Sequence, residues 1–135
     1  MIARHWRSGA LVSALIPLFA CSPADTPRDE LPFEPDYQGI ETRLLDDDLV
    51  AFDLKMVGAR DALDLRGYGD CAVAQYALIR GYGYARHLRT TTERSGDLWL
   101  ADAIYTISRD RPAGLEIIVA EDRIAQCQTE EIPTV

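Results

Sequence analysis

The segment from Arg80 to Arg89 holds the side chains in this sequence that are best suited to bind an anion. Its candidate residues are Arg80, Tyr82, Tyr84, Arg86 and Arg89. A guanidinium group presents a planar fork of donors that matches a carboxylate, and it also stacks on aromatic rings. Alternation along a strand would place Tyr82, Tyr84, Arg86 and Leu88 on one face, with His87 and Arg89 on the other. The alternative is an ordinary sheet edge with packed tyrosine rings and solvated arginines.

Catalytic motifs are much weaker than this arginine and tyrosine patch. His87 is the only histidine beyond His5, and the chain contains no G-x-S-x-G or H-E-x-x-H pattern. Gly67–Ala72 matches G-x-G-x-x-A, but polar residues separate it from the preceding strand pattern, whereas a dinucleotide site needs a strand that leads directly into the glycines. Asp46–Asp48 lacks the spacing of a calcium loop and predicts a solvated turn. We therefore expect no enzyme activity, no cofactor and no metal site.

The amino-terminal segment has the pattern of a secretory signal. Arg4, His5 and Arg7 precede an uncharged run over residues 9–20, which is too short to span a bilayer as a helix. The residues Leu18-Phe19-Ala20-Cys21 resemble the lipobox of bacterial lipoproteins, although Phe19 is bulkier than is usual there. That resemblance implies cleavage after residue 20 and acylation of Cys21. The alternatives are a secretory signal that leaves a free thiol and an uncleaved signal anchor.

Several expectations about location follow from an acylated Cys21. Multiple acyl chains would hold the protein on the membrane, with the domain facing the periplasm. In the lipoproteins of enteric bacteria that this segment resembles, Asp after the lipidated cysteine retains the protein at the inner membrane. Ser22 at this position therefore favours the outer membrane. Residues 21–36 are rich in proline and predict an extended, unpacked tether. Removing residues 1–20 takes away Arg4 and Arg7 and lowers the formal charge from -8 to -10, which argues against nucleic acid as a partner.

The other two cysteines, Cys71 and Cys127, form an even pair once Cys21 is lipidated. Disulfides persist in oxidising compartments, so we predict a bridge between them. The alternative is a thiol-redox site at Cys71, because a cysteine near a helix amino terminus can have a lowered pKa. The two residues are 56 positions apart in the chain and form no C-x-x-C motif, which favours the structural bridge.

Residues 37–132 predict one small domain. Alternating apolar residues indicate a strand at Leu49–Val57, and a periodicity of three to four residues indicates a helix that starts at Asp64 or Asp70 and ends at Gly81. A hairpin is expected from Tyr84–Thr92 and Leu98–Ser108, joined by the five-residue loop Glu93–Asp97, followed by a last strand at Leu115–Ile124. The predicted class is α+β, with a single helix on a mainly antiparallel four-stranded sheet in the order β-α-β-β-β.

The lipobox and the segment Ala72–Leu88 resemble small lipoproteins of alphaproteobacteria, a resemblance that implies no particular activity. The expected function is a non-catalytic interaction or envelope-maintenance module, bound to the membrane by its lipid and contacting an envelope protein or a polysaccharide. The alternative is a small envelope enzyme or thiol-redox protein that uses Cys71.

Overall fold

A computed structural model describes residues 26–135; the predicted signal segment and Cys21 lie outside the described residues. Five strands and two α-helices follow one another along the chain. The elements are β1 (Asp36–Asp46), β2 (Leu49–Val57), α1 (Ala62–Ile79), β3 (Tyr84–Ser95), β4 (Leu98–Ser108), β5 (Ile117–Val119) and α2 (Ala120–Thr129). All strand pairs are antiparallel, in the order β1-β2-β4-β3-β5. The predicted α+β class is confirmed, but the expected four strands and single helix are wrong.

Strand β1 is the first element that the sequence analysis missed. It forms a hairpin with β2 through a two-residue turn at Asp47 and Asp48, so two of the three aspartates form the predicted turn and Asp46 ends β1. Most β1 side chains are exposed because β1 lies at the edge of the sheet. Such a strand lacks the alternation that marks one buried face, and this is why the sequence pattern did not reveal it.

Helix α1 starts earlier than either predicted position. The Asp61 carboxylate caps it by accepting a hydrogen bond from the Leu63 amide at 2.9 Å, whereas Asp64 and Asp70 both lie inside the helix. Gly81 ends the helix as predicted, in a left-handed conformation with φ of +79°. The Tyr82 amide then donates to the Ala77 carbonyl at 2.8 Å.

The apolar face of α1 packs against β2, β3 and β4. Large buried side chains at this interface include Phe52, Leu54, Met56, Leu65, Tyr68 and Tyr105. Gly69 permits the closest approach, because a Cβ there would lie 2.6 Å from the Tyr105 Oη and 3.3 Å from the Ala103 Cβ. The glycines of the G-x-G-x-x-A match thus lie within the helix, and Gly69 serves helix–sheet packing.

The β3–β4 hairpin is confirmed, but its loop is shorter than predicted. The strands extend to Ser95 and from Leu98, leaving only Gly96 and Asp97 in the turn. Gly96 adopts a φ of +62°, which suits a two-residue hairpin turn. The predicted loop residues Glu93, Arg94 and Ser95 are therefore paired with β4.

The predicted last strand at Leu115–Ile124 is mostly wrong. Only Ile117–Val119 pairs with β3, and the chain turns directly into α2 at Ala120. Two acidic residues in the first turn, Glu121 and Asp122, favour this helix start electrostatically. Cys127 of α2 forms a disulfide with Cys71 of α1, which confirms the predicted bridge.

Residues 26–35, part of the predicted unpacked tether, lie against the domain. Arg28 forms ion pairs with Asp61 and Asp64, and Phe33 lies under the Arg60 guanidinium, 3.8 Å from ring centroid to Cζ. Guanidinium stacking and charge pairing therefore attach this segment to the start of α1. Neither helix in residues 26–135 has the length and hydropathy that crossing a bilayer requires.

Candidate functional site

The face of the sheet opposite α1 carries a groove. We call this face the outer face; its side chains include Asp53 and Lys55 of β2, Leu100, Asp102 and Ile104 of β4, and Arg86 and Arg89 of β3. The groove has a volume of about 780 Å³, runs across part of this face and is lined by residues of β1, β2, β4 and β3. Cavities of this size accommodate small ligands or an extended peptide segment.

A β-bulge decides which arginines share the outer face. His87 pairs with Tyr105, but Arg89 pairs with Ile104, so Leu88 is an extra residue without a partner. The bulge reverses the alternation beyond Leu88, which is 51% exposed. Arg89 therefore lies on the same face as Arg86, and the prediction that Arg89 shares the opposite face with His87 is wrong.

Tyr84 and Arg111 extend this outer-face cluster. Ala85 is buried against the core, so alternation places Tyr84 and Arg86 on the outer face. The Arg111 guanidinium lies over the Tyr84 ring, 6.0 Å from its centroid. Arg86 packs against Gly114, where a Cβ would lie only 3.0 Å from its Nη2. We call Tyr84, Arg86, Arg89 and Arg111 the arginine cluster.

Two of the five predicted patch residues lie elsewhere. Arg80 follows the end of α1 and donates a hydrogen bond to the Tyr76 hydroxyl at 2.8 Å, while Tyr82 packs partly against the core. Arg109 stacks over Tyr82 at 5.3 Å. The structure therefore splits the predicted patch into the outer-face cluster and a separate group at the carboxyl end of α1.

The arginines of the cluster, like Arg80, Arg94 and Arg109, form no ion pair within residues 26–135. The ion pairs within residues 26–135 use Arg28, Arg43, Arg60, Arg66 and Arg123. None of the arginines in the cluster takes part in these pairs, although the protein is acidic. Unpaired guanidinium groups beside a tyrosine ring retain their full capacity to bind an external anion.

At the opposite end of the groove, one arginine pairs with two carboxylates. Arg43 of β1 donates from Nε to Asp53 at 2.8 Å and from Nη2 to Asp102 at 3.4 Å. Hydrogen bonding to Asp53 raises the pKa of Arg43, so this guanidinium stays charged. The groove is asymmetric: the Arg43 ion pairs lie near β1 and β2, whereas Arg89, Thr91 and Glu93 line it at β3.

His87 and its neighbours form a polar network on the helix side of the sheet. The Tyr105 hydroxyl donates to Asp70 Oδ1 at 2.7 Å, and Arg66 Nε donates to the same oxygen at 2.8 Å. Burial, followed by the nearby Asp70 charge, raises the pKa of Tyr105, which keeps its hydroxyl protonated. Burial also lowers the pKa of His87, whose Nε2 lies 2.8 Å from the Thr90 hydroxyl. The Tyr105–Asp70 hydrogen bond joins β4 to α1.

A second charged cluster lies where residues 26–35 meet α1. Asp64 accepts hydrogen bonds from the side chains of Arg28 and Arg60 at 2.7–3.1 Å and from the Arg60 amide at 2.8 Å. Burial alone would raise the pKa of Asp64, but these hydrogen bonds outweigh burial and lower it. The carboxylate is therefore satisfied within the chain and secures the amino-terminal segment.

The sequence analysis missed Arg111, Arg109 and the β1 side of the groove. Arg109 and Arg111 follow β4 in the sequence Arg-Asp-Arg-Pro, and their spacing of two residues is a visible signal for paired cations. Their stacking on Tyr82 and Tyr84 depends on how β3 and β4 pair, which the sequence alone did not specify.

Comparison with known proteins gives a family but no solved structure that matches. Residues 37–131 match the family described as the YNQ4 C-terminal domain. One curated relative is an uncharacterized 26.9 kDa protein in the nqo8 5′ region of Paracoccus denitrificans, 29% identical over 104 residues. The alignment covers 73% of this chain and 41% of the relative, so the chain spans less than half of that protein's length. No solved structure matches. The match over residues 37–131 shows that this chain belongs to the YNQ4 C-terminal domain family.

Proposed function

We propose that this protein is a lipid-anchored, non-catalytic interaction module of the cell envelope that binds an acidic partner on its outer face. The observation that carries the binding proposal is the arginine cluster, whose guanidinium groups are unpaired within residues 26–135 of an acidic chain. Unpaired arginines beside a groove can bind the carboxylates of an envelope protein or of an acidic polysaccharide through bidentate hydrogen bonds.

The distribution of charge along the groove favours one orientation of a bound acidic segment. An acidic segment that entered the groove from β3 would meet Arg89 first, with Arg86 on the same face beside the groove. It would then pass the exposed Leu100 and Lys55 toward β1. At the β1 end Arg43 pairs with both Asp53 and Asp102, so these three groups together keep one negative charge. We expect the ligand's negative charges to lie at the β3 end.

The burial of the disulfide supports a non-catalytic role. Cys71 is 0% exposed and Cys127 is 1% exposed, and α1 and α2 pack around the bridge. A thiolate from another protein must reach a sulfur atom to exchange with a disulfide. Exchange at this bridge would require the two helices to separate first, so we do not favour the thiol-redox alternative.

Charge reversal tests the binding proposal. The variant Arg86→Glu/Arg89→Glu in the full chain should lose the partners that the wild-type protein recovers from native membranes after chemical crosslinking. The matched control is Arg80→Glu/Arg94→Glu, which changes the net charge equally at two exposed arginines outside the cluster. Retention of the same partners by the first variant, or equal loss by both variants, would reject the arginine cluster as the binding site.

A separate experiment tests the anchor at Cys21. The native protein should start at residue 21 and carry the mass of its acyl chains, and Cys21→Ala should release the domain from the membrane fraction. Ser22→Ala is the control, because it changes the neighbouring residue and retains the thiol. An unmodified amino terminus would remove the anchor from the proposal without affecting the arginine cluster.

A further inference from the structure

Strand β1 is a long edge strand with an unpaired side. It contains 11 residues and, within residues 26–135, pairs only with β2. At the other side of the sheet, the 3 residues of β5 pair with Tyr84, Ala85 and Arg86 of β3 and leave the rest of β3 without a further strand from the described part of the chain. Helix α1 packs on β2, β3 and β4, so the edge strand extends beyond the main helix contact. An exposed edge of this length presents a row of backbone donors and acceptors to another strand.

The regular part of β1 lies between two irregularities. Register shifts occur between Tyr37 and Gly39 and between Leu44 and Asp46. Bulges at both ends shorten the available edge, a common protection against uncontrolled pairing. The segment from Gly39 to Leu44 remains regular and sets the length over which another strand can add.

This segment is complementary to a second copy of itself. In an antiparallel pair with a two-fold axis at Thr42, Ile40 lies opposite Leu44 of the second copy, and Glu41 lies opposite Arg43 of the second copy. The symmetry produces each of these contacts twice. Apolar and oppositely charged cross-strand pairs both stabilise a sheet.

The two neighbouring registers that keep the same faces aligned are unfavourable. An axis at Glu41 would place two glutamates directly opposite each other, and an axis at Arg43 would do the same with two arginines. Like charges directly opposite each other destabilise strand pairing. The charges at Glu41 and Arg43 therefore select the register centred on Thr42.

Side-chain exposure agrees with this register. Leu44 is 49% exposed in a single copy, although it pairs with the buried Val50 on the helix side of the sheet. In the Thr42-centred pair, Leu44 contacts Ile40 of the second copy on that same side. Glu41 lies on the outer face and makes no ion pair within residues 26–135. Arg43 donates to Asp53 and Asp102 through Nε and Nη2, which leaves its Nη1 for Glu41 of the second copy.

We propose that two copies of this chain associate through β1, antiparallel and centred on Thr42, to form one continuous sheet. The two outer faces then lie on the same side of that sheet, and each groove borders the interface. The proposal concerns a different edge from the arginine cluster and does not depend on the proposed function.

Cysteine crosslinking in the full chain tests the register. Residues directly opposite each other in an antiparallel pair have Cα atoms about 4.5–5.5 Å apart, within the range that a disulfide spans. Thr42→Cys should therefore give a disulfide-linked dimer on a non-reducing gel after mild oxidation in membranes.

Two control variants, Glu41→Cys and Thr91→Cys, retain the same native cysteines. In the proposed register the Cα atoms of Glu41→Cys in the two copies are about 8 Å apart, too far for a disulfide. Thr91→Cys places an exposed cysteine on β3, away from the interface. We expect at least tenfold more dimer from Thr42→Cys than from either control. Equal crosslinking of Thr42→Cys and its controls would overturn the proposed register.

Charge pairing across the two-fold axis gives an independent test. Thr42 is exposed, so Thr42→Glu and Thr42→Lys should fold with unchanged melting temperatures. Each variant alone would place like charges at the axis, whereas a mixed pair places opposite charges there. In cells that express two differently tagged full chains, the mixed pair should co-purify and the like-charged pairs should not. Similar co-purification of all combinations, or of none, would exclude association through Thr42.

Discussion

Two glycines in α1 should respond to alanine in opposite directions. Gly67 and Gly69 lie in the same helix interior, so alanine should favour the helical conformation by about 1 kcal/mol at either position. A Cβ at position 67 meets nothing closer than Arg123 Nη2 at 3.7 Å, an ordinary contact. A Cβ at position 69 would lie 2.6 Å from the Tyr105 Oη and 3.3 Å from the Leu54 Cδ1.

The surroundings of Gly69 cannot yield easily. Tyr105 is fully buried, and its hydroxyl is fixed by the 2.7 Å hydrogen bond to Asp70. Overpacking a core costs about 1–3 kcal/mol, and loss of a hydrogen bond to a charged group costs about 1.5–3 kcal/mol. After the helix preference of about 1 kcal/mol is subtracted from the sum of these two costs, Gly69→Ala should lower the free energy of unfolding by about 1.5–5 kcal/mol. Gly67→Ala should raise it by about 0.5–1 kcal/mol.

Urea denaturation followed by circular dichroism measures both changes. A double-mutant cycle with Tyr105→Phe identifies the cause, because phenylalanine lacks the hydroxyl that an alanine side chain at position 69 would meet. Gly69→Ala should cost at least about 1 kcal/mol less in the Tyr105→Phe background than in the wild type. Equal stabilisation by the two alanine variants, or a cycle without coupling, would refute close packing at Gly69.

Three further perturbations address other parts of the domain. Cys71→Ala/Cys127→Ala should lower the free energy of unfolding by about 4 kcal/mol, because the disulfide joins residues 56 positions apart and restricts the unfolded chain. A decrease in melting temperature of less than about 10 °C would contradict this explanation. Asp64→Asn should cost about 3 kcal/mol at pH 7, because it leaves charged arginines without their buried partner. The folded-state pKa of Asp64 is below its unfolded value, so the stabilisation by this carboxylate is complete above about pH 5 and is lost as pH falls through the folded pKa. The decrease in urea midpoint between pH 7 and pH 3 should therefore be smaller for Asp64→Asn than for the wild type. Glu131 has a φ of +56° just after α2, and Glu131→Gly should raise the free energy of unfolding by up to about 1 kcal/mol in the same assay.

Elements that bury one face could be predicted from the sequence. Val50, Phe52, Leu54 and Met56 alternate along β2 because their side chains all pack beneath α1. The β3–β4 hairpin was similarly visible, since every second residue of β4 is buried. The disulfide followed from counting cysteines together with an inferred oxidising compartment, and the structure contains it.

Elements whose position or conformation depends on contacts with distant parts of the chain could not be predicted in the same way. β1 lies at an edge and exposes most of its side chains, so its sequence carries no strong periodic signal. The residues before α2 include Ile117, Ile118 and Val119, a β-branched run that favours a strand. The change to a helix at Ala120 depends on packing against α1 and on the disulfide at Cys127, which are long-range interactions.

At the candidate site, one bulged residue, Leu88, determines which arginines lie on the same face of the sheet. Regular alternation from Tyr84 separates Arg86 from Arg89, and the local sequence contains no glycine that would announce a bulge. The bulge at Leu88 is visible only in the pairing of β3 with β4, where Arg86 opposes Thr106 and Arg89 opposes Ile104. Because these partners are two residues apart on one strand, their faces coincide. The sequence supplied the arginines, but the strand register brought two of them to the same face beside the groove.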